Sequence, residues 1–228
     1  DVSSVENMSW MFERATYFNK PLNDWVTSSV TNMHSMFLQA TNFNYPLNNW
    51  DVSAVTSMDL LFMYADAFDQ DLNSCNVSNV TQMPQIFYRA KNFNGNITNW
   101  DVSKVESFNG MFNNAIEFNQ DISGWDTSSA TDFILMFTQA VKFDQDLSMW
   151  NISKVTDMYA MFAEVSLSVE NYDALLISWV NQIPMDNVDF HAGYSQFTRN
   201  SLAQTARDTL IGTFNWSISD GGGAVVAP

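Results

Sequence analysis

Apolar and polar residues alternate along this chain on two superposed periods. Within residues 47–68, LNNWDVSAVTSMDLLFMYADAF, the residues Val55, Met58, Leu61, Phe62 and Ala65 are spaced by three and four, as on one face of a helix. Just before them Leu47, Trp50 and Val52 are spaced by three and two, with polar neighbours left to face outward as on a strand. The pattern predicts a short strand, a tight bend, a helix of about three turns and a return loop through Phe68. The second period is 25 residues. Phe12, Phe37, Phe62, Phe87, Phe112, Phe137 and Phe162 form one column, and Phe18, Phe43, Phe68, Phe93, Phe118 and Phe143 a second. Trp25, Trp50, Trp100, Trp125 and Trp150 form a third, broken by Cys75. Self-similarity at one fixed period is the mark of stacked units, each burying its apolar face on the next.

A serine recurs as Ser3, Ser28, Ser53, Ser78, Ser103, Ser128 and Ser153, placed to cap each predicted helix. Ser3 with Glu6, and Ser103 with Glu106, have capping-box spacing; elsewhere that third position is Thr31, Thr56, Thr81, Thr131 or Thr156. Pro21 and Pro46 would stiffen the approach to a strand, and Pro84 falls in the first turn of a helix. The first unit would leave its core face open, with Trp10 exposed. Cys75 replaces a far larger ring, so a cavity costing roughly 3 kcal/mol or more is expected there, and with it a weak point. After Phe162 the pattern fails, with Val165 and Ser168 where Ala and Phe were due. Residues 166–220 read as a C-terminal α/β cap. It holds a helix over 169–183 carrying Tyr172, Leu175, Leu176 and Trp179, then a strand at Val188 and Phe190. A helix over 198–213 and a strand at Trp216 and Ile218 complete it. Residues 221–228 read as a linker or disordered tail.

The run FNQDISGWDTSSATDFILMF at 118–137, with DVSAVTSM at 51–58, resembles the BspA-like leucine-rich-repeat family, the bacterial surface-protein 26-residue repeat. The resemblance covers residues 1–165 and extends to the cap, where a tryptophan strand is followed by Asp-Gly-Gly. It implies an α/β solenoid: a leucine-rich-repeat-like, right-handed curved ladder of strand-helix units with a C-terminal capping segment. It also implies a secreted or cell-surface setting and a role in adhesion, and it supplies no catalytic residues. The asparagine that closes an ordinary leucine-rich repeat strand would fall at Val30, Val55 or Val80. Some other polar column must satisfy the bend, either the serines or Asn19, Asn44, Asp69, Asn94, Asn119 and Asp144.

Acidic residues outnumber basic ones by 25 to 9, a net charge of −16, which argues against nucleic acid and anionic membrane as partners. Charged residues are nevertheless only 15% of the chain, and the Asn, Ser, Thr and Gln that carry its polarity suit neutral hydrogen-bonding partners. The one cysteine excludes an internal disulfide and reads as a buried spacer. No apolar run is long enough to span a bilayer. The residues include no signal-peptide pattern, and residue 1 falls inside a unit, so the chain reads as a piece of a longer protein, monomeric in this form.

The outward strand positions make two columns. Asp24, Asn49 and Asn99 belong to one; Asp51, Asn76, Asp101, Asp126 and Asn151 belong to the other, in which Val26 is the exception. Together they would form a polar, acidic concave strip suited to a glycan or protein ligand, or else merely solvated faces and bend caps. Asp69 with Asp71, and Asp144 with Asp146, have D-x-D spacing that could contribute to calcium binding if a neighbouring turn helped, or could hydrogen-bond the backbone. The only histidines are His34, read as solvated, and His191, with no hydrolase, metalloprotease or phosphate-loop motif, so an enzyme is not expected. The methionines read as core packing. The expectation is a non-catalytic binding or adhesion module, extracellular or at the cell surface. A structural spacer in a larger cell-envelope protein is the alternative. Ice or mineral binding is weakened by the mixed composition of the outward columns.

Overall fold

The computed structural model describes residues 1–224. Its repeating part is built from turns. Within the first unit Met11, Glu13, Ala15 and Phe18 donate their N–H groups to the carbonyls three residues back, and the third unit repeats this at Leu61, Met63, Ala65 and Phe68. The intervening N–H groups leave the unit. Phe12, Phe37, Phe62, Phe87, Phe112 and Phe137 donate to Met36, Leu61, Ile86, Met111, Met136 and Met161 of the following unit, at 2.8–3.0 Å. Flanking residues do the same; Trp10 reaches the His34 carbonyl and Arg14 that of Leu38. Every one of these bonds runs from the earlier unit to the later one.

The predicted helix and strand are therefore absent from the units: residues 1–168 contain no α-helix, and only isolated parallel bridges such as Asn7 to Asn32 and Asp132 to Asp157. The reason lies in two positions per unit. Leu60 and Tyr64, like Trp10 and Arg14, take left-handed backbone angles, and across the array these φ values lie between +52° and +63°. A left-handed residue ends a right-handed helix and costs about 1–2 kcal/mol when it is not glycine. From Trp10 to Gln139 each such residue sends its own N–H into the next unit, which offsets that cost. The turn chain still carries Met58, Leu61, Phe62 and Ala65 inward, so burial is satisfied without a helix. The serines consequently cap no helix, and the capping boxes at Ser3 and Ser103 do not form. The serine N–H instead donates to an acidic or amide side chain two residues earlier, as from Ser3 to Asp1 and from Ser103 to Asp101.

The core consists of aromatic columns. Phe112 stacks on Phe87 and Phe137 at 5.7 and 5.6 Å, with Phe118 at 3.7 Å beside it, all within 10° of parallel. Trp125 lies between Trp100 and Trp150, 6.4 Å from each. Each indole N–H from Trp50 onward finds a carbonyl inside: Trp50 donates to Leu22, Trp100 to Leu72, Trp125 to Ile97 and Trp150 to Ile122. Beside these columns Asn19, Asn44, Asp69, Asn94 and Asn119 each use Oδ1 to accept the N–H of the residue one unit on, and Asp144 accepts that of Ser168. This line of side chains satisfies the bend in place of the missing asparagines.

At Cys75 the tryptophan column is interrupted. An apolar cavity of about 20 Å³ lies between Trp50 and Trp100, and the Leu47 carbonyl has no indole donor. Burial pushes the Cys75 thiol up to about 11, which leaves it protonated and inert at neutral pH. The neighbours Met58, Leu61 and Val77 are no larger than Met33, Met36 and Val52 beside the intact tryptophans, so nothing has grown to fill the space. Cys75→Trp is expected to restore the stack and the bond to Leu47. Thermal denaturation should show a gain of about 1–2 kcal/mol, or a Tm a few degrees higher. An unchanged or lower Tm would count against the slot.

Beyond Val165 the regular elements begin. They are α1 (Val169–Val180), β1 (Asp189–His191), β2 (Phe197–Thr198), α2 (Leu202–Phe214), β3 (Ser217–Ser219) and β4 (Gly223–Ala224). β1 pairs with β3 and β2 with β4, both in parallel. Met158 and Phe162 donate to the Asp189 and His191 carbonyls, so β1 takes up N–H groups that an eighth unit would otherwise accept. Trp179 of α1 continues the indole pattern by donating to the Leu147 carbonyl. α1 ends before residue 183, where Ile183 is left-handed. The tail expectation is corrected at its start: Gly223 and Ala224 pair with Phe197 and Thr198, while 225–228 lie outside the described residues.

Candidate ligand-binding strip

All eight residues of the expected strip are exposed: Asp24, Asn49, Asp51, Asn76, Asn99, Asp101, Asp126 and Asn151. Five of them share one geometry. Oδ1 of Asp51, Asn76, Asp101, Asp126 and Asn151 accepts the N–H of the serine two residues on, at 2.9–3.1 Å. The Ser53, Ser103 and Ser153 hydroxyls add a second donor to the same oxygen. This is the local turn that Asx residues make with their own backbone. One oxygen is thereby fixed and the remaining oxygen or amide nitrogen is left to face solvent. The Ser53 hydroxyl and N–H hold the Asp51 carboxyl below its usual value, and Ser128 does the same for Asp126, so both are charged at neutral pH.

The other column is tied by its backbone. The Asn49 and Asn99 N–H groups donate to Oδ1 of Asn23 and Asn73 in the preceding unit. Thr27 and Thr127 donate from their hydroxyls to the Asp51 and Asn151 carbonyls, which fixes the spacing between neighbouring members of the strip. A depression of about 300 Å³ opens on the strip at Asp24, Asn49 and Asp51.

The expected calcium ligands have other partners. Asp69 and Asp71 accept the N–H groups of Asn94 and Asn96 in the next unit, and Asp146 accepts that of Ser148. Asp144 accepts from Ser168 N–H and Oγ and from Asn171 Nδ2, anchoring the start of α1. Among the described residues no three His, Cys, Asp or Glu side chains are grouped to hold a metal ion. The contacts these four side chains make are those of the backbone-bonding alternative, and a hard cation would need further oxygens, since it takes six to eight.

His34 is not solvated as expected. Its side chain is 28% exposed, set edge-on to Trp10 with ring centroids 5.1 Å apart, and its Nδ1 lies 3.7 Å from Asp59 Oδ2. Burial holds the Asp59 carboxyl above its usual value. His191 sits far along the chain and accepts the Gly193 N–H at Nδ1. The bend-cap reading of these columns describes their contacts, with the recurring D/N-x-S spacing as its signal; the pairing of each with its own serine is what the sequence reading did not name.

The chain belongs to the family described as Mycoplasma protein of unknown function, DUF285, whose model matches residues 1–93 and 68–175. Compared with curated proteins and with solved structures, the chain has no match.

Proposed function

We propose that the chain is a solenoid from a secreted or cell-surface protein, non-catalytic, that binds a glycan or a protein through the strip. The observation that carries this reading is the column of Asp51, Asn76, Asp101, Asp126 and Asn151. Each presents a fixed oxygen and a free polar atom in the same orientation relative to its own turn. Side chains already held in place lose less entropy on binding than free ones. A net charge of −16 disfavours nucleic acid and anionic lipid, and among the described residues no helix is long and apolar enough to cross a membrane. The surface location and the solenoid's likeness to leucine-rich repeats rest on the resemblance to BspA-like proteins.

A second reading, a rigid spacer, is favoured by one fact: each fixed oxygen already has a use inside its turn. Glycan and protein arrays distinguish the two. Asp101→Ala with Asp126→Ala is expected to weaken binding at least tenfold. Asp101→Asn with Asp126→Asn, which keeps the Oδ1 acceptor, controls for a loosened turn. Arrays without a ligand, or a double alanine variant that binds unchanged, would leave the spacer.

A further inference from the structure

The strip has one defect, and it is a specific one. In the serine column the N–H groups of Ser3, Ser53, Ser78, Ser103, Ser128 and Ser153 all donate to an Asx side chain two residues earlier. At Ser28 that residue is Val26, whose side chain has no acceptor, and among the described residues the Ser28 N–H has no partner. Ser28 is exposed and Val26 is 56% exposed, so both reach solvent. They line the 300 Å³ depression together with Asp24, Trp25, Asn49 and Asp51. One small basin therefore holds a free backbone donor, an apolar side chain, the border of an indole and two carboxylates that accept hydrogen bonds.

An acetamido group offers the matching set: a carbonyl for the donor, a methyl for the apolar surface and an N–H for a carboxylate. Sugar hydroxyls can donate to the remaining Asp24, Asn49 and Asp51 oxygens, and a sugar's apolar face suits indole. The carboxylates exclude anionic sugars. We infer that the depression at Val26 and Ser28 is a subsite for a neutral N-acetylated hexosamine within a glycan. This rests on the strip being a glycan-binding surface and names where and what it binds.

The test is calorimetric titration of the whole chain with N-acetylglucosamine and its trimer, with glucose as the sugar that lacks the acetamido group. N-acetylglucosamine is expected to bind at least tenfold more tightly than glucose. Val26→Asp introduces the residue that fills this position in other units. It should cap Ser28, keep or raise Tm, and weaken N-acetylglucosamine binding at least tenfold. Equal binding of the two sugars, or a Val26→Asp protein that folds and binds undiminished, overturns the inference. The wider reading is judged separately, since glycan binding lost in the Asp101 and Asp126 variants but unaffected at Val26 retains the strip and removes only this subsite.

Discussion

Phe112→Ala is expected to destabilise the protein by about 3–5 kcal/mol, the range for truncating a fully buried aromatic side chain. Phe112 is wholly buried and stacks on Phe87, Phe118 and Phe137. Its backbone is tied on both sides, donating to Met136 and lying beside the Met111 carbonyl that accepts from Phe87. Repacking cannot close the hole, because collapse toward one neighbour would pull the chain off the hydrogen bonds to the other. Units of a repeat array contact only their neighbours, so the loss should be concentrated locally. Urea denaturation reads the total. Hydrogen exchange should show amide protection falling at residues 85–89 and 135–139 before it falls in the cap. A total loss below about 1 kcal/mol would mean that the aromatic columns are not what holds the array together.

Asp220→Ala is expected to cost a similar amount, about 3–5 kcal/mol, through the cap. The Asp220 side chain is 3% exposed. It accepts from Arg207 Nε at 2.6 Å, the Tyr172 hydroxyl at 2.9 Å and the Gly222 N–H at 3.0 Å. It therefore ties α1, α2 and the approach to β4 to one carboxylate. Removing it leaves the largely buried Arg207 guanidinium, over the Phe197 ring, with only the exposed Asp208 carboxylate 3.9 Å away as counter-charge. Tm should fall by on the order of 10 °C. Arg207→Leu combined with Asp220→Leu should recover much of it, because it is the unpaired charge that costs most. A single variant within about 2 °C of the parent would remove Asp220 from this role. Burial, with Asp220 beside it, pushes the Tyr172 hydroxyl above its ordinary value. The unfolded chain releases that proton near pH 10 while the folded one keeps it. This contribution is therefore full below about pH 10 and is lost as pH rises further, an alkaline decline that Tyr172→Phe should flatten.

The periodicity was legible because stacking puts identical residues on top of each other: Phe87, Phe112 and Phe137 touch in space as they align in sequence. The cavity at Cys75 was legible for the same reason. The helix was misread because inward positions at Met58, Leu61, Phe62 and Ala65 suit a run of turns as well as a helix. The deciding feature was backbone handedness at Leu60 and Tyr64, and residues of that kind carry no such signal; Gly110 and Asn114, at the same two positions of a later unit, hint at it. At the strip, exposure of Asp51 to Asn151 followed from alternation, while the pairing of each with its serine required knowing that the bend is an Asx turn. Val26 stood out as an exception in the alignment, but it acquires chemical meaning only once the N–H it leaves free is seen.

Hydrogen bonds link each unit to the next in both directions, from Phe12 to the Met36 carbonyl and from Thr31 back to that of Glu6, and their fixed register sets a rule for how such a gene can lengthen or shorten. Tandem duplication of a whole module inserts a segment whose donors and acceptors match those of the copies before and after it, so neither end of the molecule has to change. A lost or gained codon inside a module has no such tolerance, since it displaces the rings from their columns and turns donors away from acceptors. Lineages carrying this array should therefore vary in number of modules far more readily than in module length.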